Sequence, residues 1–176
     1  MYFKHALRAA TVAVTVVLAG CADSDSNDAD VTFAQDMIPH HQQAVEMSQL
    51  ADGRADSDAV RELASDIEAA QEPEIETMTA WLEEWDAEVP DSSMEGMDES
   101  DMAGMMSPED MSALEDASGS EFDQMWLTMM IEHHEGAIEM AEIEQADGEN
   151  DDAVELAETI EETQAAEVEQ MEQLLG

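Results

Sequence analysis

The stretch "MIPHHQQAVEM" occupies Met37–Met47, and "MIEHHEGAIEM" occupies Met130–Met140, ninety-three residues later. Aligning Phe33–Leu82 with Trp126–Leu175 at that constant offset needs no gap, and eighteen of the fifty pairs are identical. Shared acidity explains some matches. It does not explain the repeated His, Met and Gln, so the chain is read as a duplication. Each copy has apolar residues at helical spacing: Leu63, Ile67, Ala70, Met78 and Leu82 in one, and Leu156, Ile160, Val168, Met171 and Leu175 in the other. "ADGRADSD" and "ADGEND" interrupt the two copies with Gly and cap-forming Asp, Ser and Asn. Each copy therefore reads as a helical hairpin, with helices at about 30–50 and 59–85, then about 121–145 and 152–175. Pro39 and Pro73 fall inside these helices and are expected to kink or break them. Strand signals are absent, so the expected fold is an all-α four-helix bundle of two duplicated hairpins joined by a Met-rich linker.

Outward from the repeats, the chain divides into 1–20, a leader; 21–29, a polar tether; and 30–176, the duplicated domain. Repeat 1 covers 30–86, the linker 87–107 and repeat 2 108–176. The leader carries Lys4 and Arg8 and then a short apolar run, the layout of a secretory signal. It ends in "LAGC", which looks like the lipobox of exported lipoproteins, with Cys21 as the lipidated residue. The expected location is therefore outside the cell membrane, lipid-anchored to its outer face or secreted. As the only cysteine, Cys21 leaves no internal disulfide and no multi-thiolate metal site. After the leader, Arg54 and Arg61 stand against 46 acidic residues, a formal charge of −44. That balance excludes nucleic acid as a partner. It fits the solvated surface of a halophilic protein, whose self-repulsion molar salt screens. Helicity should be lost below about 0.5 M salt.

The only histidines outside the leader are His40, His41, His133 and His134. On a wheel of about 100° per residue all four lie within the apolar arc. His41 and His134 fall near the arc's middle and should point deepest. His40 and His133 should lie toward its edge, beside Met47 and Met140. Buried imidazole needs partners, either core hydrogen-bond acceptors or a metal. Met37, Met47, Met130 and Met140 share the arc, and imidazole with thioether suits copper, above all in its monovalent state. Neither the Glu-x-x-His helices of di-iron sites nor H-E-x-x-H is present. No nucleophile–base constellation is visible, so no enzyme activity is expected. The linker adds Met94, Met97, Met102, Met105 and Met106 among Gly, Ser and acids. It reads as a mobile segment with exposed thioethers, ahead of a short helix capped by Ser107. Two independent classes of cuprous site follow: an acid-sensitive one at the histidines, weakening below about pH 6, and an acid-resistant one in the linker.

"FDQMWLTMMIEHHEGAIEMA" (Phe122–Ala141) and "FAQDMIPHHQQAVEMS" (Phe33–Ser48) resemble the signature of the family named domain of unknown function 305, from Asp30 to the C-terminus. The resemblance implies an exported, ferritin-like helical protein, and a role in binding or resisting copper or silver, as in some family members. Asp36 stands where the second copy has Met129, so one half has a thioether fewer. Metal scavenging or transfer to a partner is the expected role. A structural or interaction lipoprotein with metal-free core histidines is the alternative.

Overall fold

A computed structural model describes residues 26–90 and 102–176. It contains five helices: α1 (Asp28–Ala51), α2 (Asp58–Glu84), α3 (Pro108–Asp116), α4 (Ser120–Asp147) and α5 (Asp151–Leu175). There is no β-strand among the described residues, and no helix there is long and apolar enough to cross a membrane.

The helix starts follow from side-chain caps. Asn27 accepts from the backbone N–H groups of Ala29 and Asp30, and Asp30 returns the bond to the Asn27 N–H, a complete capping box. Asn150 caps α5 and Ser107 caps α3, with Pro108 in its first turn. Pro39 and Pro73 break neither α1 nor α2, each of which runs on through its proline. Each forfeits one i→i−4 bond, and packing along the rest of the helix sustains it.

Helix α1 packs on α2 and α4 on α5, and the hairpins meet through α1 and α4. These two run antiparallel. The Asn27 side chain donates to the Asp147 carbonyl at one end, and the Trp126 indole donates to the Met47 carbonyl, 3.0 Å away, toward the other.

The duplication is visible in the bonds that fix the hairpin turns. The buried carboxylate of Asp30 accepts from the Glu149 and Asn150 N–H groups at the start of α5. Ninety-three residues on, Asp123 accepts from Asp56 and Ser57 at the start of α2. Each copy thus reaches across to cap the other's second helix.

Two apolar clusters fill the interior. One gathers Ala44, Met47, Leu63, Ile67, Trp126, Met130 and Met171. The other gathers Phe33, Met37, Met78, Leu82, Ala137 and Ile160. Helix α3 closes the first through Leu114, which is fully buried.

The segment before α3 departs from a mobile linker. Met106 is buried in the first cluster, and Met102 and Met105 are half-buried. The reason is backbone docking, described below. Met94 and Met97 lie outside the described residues, as does Cys21.

Candidate metal centre

All four histidines are fully buried. His40 of α1 and His133 of α4 come face to face, with ring centroids 3.7 Å apart and planes inclined at 39°. His41 and His134 instead turn back within their own hairpins. His41 Nε2 donates to the Glu74 carboxylate of α2 at 2.7 Å, and His134 Nε2 donates to Glu167 of α5 at 2.8 Å. The two glutamates remain partly exposed. The wheel therefore assigns the pairs the wrong way round. The apolar arc of α1 is wide because it serves two neighbours: its middle faces α2 and its edge faces α4. The edge pair, His40 and His133, meets at the centre.

Hydrogen bonding fixes which ring nitrogens must carry a proton. A carboxylate only accepts, so Nε2 of His41 and of His134 must hold a proton. His40 Nε2 lies 3.2 Å from the Ala103 carbonyl oxygen and must likewise donate. In each ring Nδ1 is left buried without a partner. In His133 neither ring nitrogen has one. The His40 backbone lies close to that ring but makes no hydrogen bond of ordinary geometry with either nitrogen.

Four buried Nδ1 atoms thus lack a partner. Each such omission costs about 1–3 kcal/mol, against the roughly 5–15 kcal/mol that holds a domain together. Burial drives the His40 ring down to about 3, and neighbouring His41 and His134 add to the effect. Burial, then His40, His134 and His41, hold His133 well below the usual imidazole range. Both rings therefore keep neutral nitrogens in mildly acid solution. Burial thus puts the protonation of this pair below the free imidazole value on which the expected weakening near pH 6 was based.

The methionines divide by surroundings. Met37 and Met130 are fully buried, each one turn before a histidine of its own helix. Each shares a cluster with an alanine of the facing helix, Ala137 and Ala44 respectively. Met47 is buried under Trp126. Its repeat equivalent Met140 is half-buried and lines a cavity of about 330 Å³ with Phe33, Asp36, Ile143 and Glu144. Burial raises the Asp36 carboxyl here. At the related place in the other half, Met129 joins the cluster that α3 covers.

Among the described residues, no three His, Cys, Asp or Glu side chains form a metal-binding group. The arrangement is instead a close imidazole pair with thioethers nearby. This set matches a soft ion of low coordination number better than zinc or a hard cation. Glu74 and Glu167 orient their imidazoles as outer carboxylates do around metal-bound histidines.

Sequence similarity agrees with the family motif. The domain of unknown function DUF305 matches residues 30–175. The chain belongs to the DUF305 family. A solved DUF305 protein from Streptomyces coelicolor is 35% identical, with a TM-score of 0.76, covering 84% of this chain and 91% of its own. A DUF305 fragment from Deinococcus radiodurans is 28% identical, with a TM-score of 0.77, covering 86% and 97%. The copper protein CopM in its Cu(II)-bound form is 32% identical, with a TM-score of 0.73, covering 83% and 95%. CopM is also solved with Cu(I) and with silver. Among curated proteins, none is significantly similar to this chain.

Proposed function

We propose that this DUF305 protein binds monovalent copper, with silver as the second candidate, and holds or hands on the ion outside the cell membrane. The scaffold is a ferritin-like four-helix bundle, tethered through a lipid on Cys21. The ion is cargo, and the protein performs no catalysis on it. One observation carries this reading: four fully buried histidines, each with an unpartnered Nδ1. An ion at the His40–His133 pair satisfies nitrogens that otherwise cost stability. Met37 and Met130 supply the soft neighbours, and His41 and His134 are further nitrogen donors or orienting groups. The similarity to CopM, solved with Cu(I), Cu(II) and silver, supports the same ion class here.

The test is competitive titration of cuprous ion at pH 7.5 in high salt, on protein purified without a histidine tag. Wild type should take up the ion, and the double variant His40→Ala, His133→Ala should lose it. If all four histidines can be replaced with no loss of stoichiometry, the core-histidine reading wins.

A further inference from the structure

A duplicated pair of helices offers two equivalent places for a connecting segment to lie, and the single chain uses one. Met102–Ser107 crosses both α1 and α4 beside the histidine pair. The residues that receive it are Gln43 and Gly136, which are repeat equivalents, each three residues after its copy's first histidine.

Gln43 is buried and grips Met106 twice: Nε2 donates to the Met106 carbonyl at 2.9 Å, and Oε1 accepts from its N–H at 2.7 Å. Gly136 does the opposite, by having no side chain. A Cβ there would come within 2.8 Å of Gly104 Cα and closer still to the Ala103 carbonyl. Gly104 itself takes φ +77°, and a Cβ on it would stand 2.6 Å from the Glu132 carbonyl oxygen and 2.9 Å from that of His133. So docked, the segment delivers the Ala103 carbonyl to His40 Nε2. The grip is made through backbone atoms of the segment. Met102 and Met105 of the same segment are half-buried.

We infer that Gln43 and Gly136 are positioning residues that join this methionine segment to the histidine pair, so that thioethers and imidazoles form one composite site selective for soft monovalent ions. This rests on the function proposed above, and it replaces the two independent classes of site expected from the sequence. Unpartnered imidazoles alone serve zinc and cupric ions as well as cuprous ion, and adjoining thioethers shift the preference to the monovalent ion. The segment also orients the site, because the Ala103 carbonyl holds the His40 proton on Nε2 and leaves Nδ1 free.

The variants are Gly136→Ala, Gln43→Leu and both together, in the full chain and in high salt. Gly136→Ala favours α4 itself, so retained helicity with a loosened segment separates docking from folding. Hydrogen exchange at the Met106 amide reads docking. Silver and zinc titrations read selectivity, and the methyl NMR signals of Met102 and Met105 read thioether contact. In wild type, silver should move both methyl signals. In the double variant the Met106 amide should exchange freely, silver affinity should fall at least tenfold relative to zinc, and the methyl response should vanish. Met102→Leu with Met105→Leu should reproduce the silver loss with the amide still protected. A protected Met106 amide in the double variant overturns the clasp. An undocked segment with unchanged silver affinity and methyl response overturns the composite site alone. A wild-type chain that takes up no silver overturns the metal reading, and this inference with it.

Discussion

Glu144→Gln is the sharpest stability test that the fold offers. Glu144 is fully buried near the C-terminal end of α4, beside Asp30. Burial first, then the bond and charge of Asp30, push its carboxyl from 4.5 up to about 8. Asp30 moves the other way. Burial raises it, but bonds from the Asn27 and Asn150 backbone, the Glu144 side chain and the Glu149 backbone outweigh that and bring it down. At neutral pH the pair therefore holds one proton, carried by Glu144 beside the ionised Asp30. Neither Glu144 oxygen has a hydrogen-bond partner of ordinary geometry among the described residues. A raised carboxyl stabilises the fold fully below its unfolded value, and that stability is lost as pH rises through the folded value. Between pH 6 and pH 8 the unfolded chain releases this proton and the folded chain largely keeps it, so wild type should lose about 2 kcal/mol over that interval. Glutamine cannot ionise. Urea unfolding in molar salt at pH 6 and pH 8, wild type against variant, cancels every other titration. The variant should gain about 2 kcal/mol on wild type across the interval. Parallel pH dependences for the two proteins would refute the retained proton.

Three further outcomes are expected. Glu74→Gln and Glu167→Gln should each weaken cuprous binding about 10- to 100-fold with helicity unchanged, measured by competitive titration, because each orients its histidine. The domain should lose helicity below about 0.5 M salt, as read by circular dichroism, because acid–acid repulsion is restored when the Debye length grows. On the proposed lipid anchor, Cys21→Ser should move the protein from the membrane fraction to the soluble one, and a wild type already soluble would refute that anchor.

The hairpins were legible because a gapless repeat with helical apolar spacing admits few other folds. The burial of all four histidines was legible because each falls within the apolar arc of its helix. Their carboxylate partners were not. Glu74 and Glu167 are an identical pair in the repeat, each thirty-three residues after its histidine. In a chain with 46 acidic residues, two more identical acids carried no weight. The wheel also failed at one step. It measures direction around a single helix, and α1 has two apolar neighbours, so direction alone could not say which histidine meets the other hairpin. The docked methionine segment was hidden for another reason. It is held by backbone atoms, by an amide at Gln43 and by an absent side chain at Gly136, none of which shows in hydrophobic pattern.

The duplication kept the histidines and the contacts that set their geometry, and let their surroundings drift. Asp30 and Asp123 still cap opposite hairpins, and His41–Glu74 and His134–Glu167 are still matched at 2.7 and 2.8 Å. These paired contacts hold the two halves in one geometry, which brings His40 onto His133. The differences lie around that pair. Gln43 faces its equivalent Gly136 across one docked segment. Asp36 lines a cavity where Met129 lies under α3, and buried Glu144 stands where the first copy has Ala51. A symmetric pair of imidazoles offers an ion two equal approaches. The methionine segment docks beside the pair at Gln43 and Gly136, while Met140 lines a cavity toward the Asp30 end of α1, so the surroundings of the two imidazoles are unequal although the residues that hold them are matched.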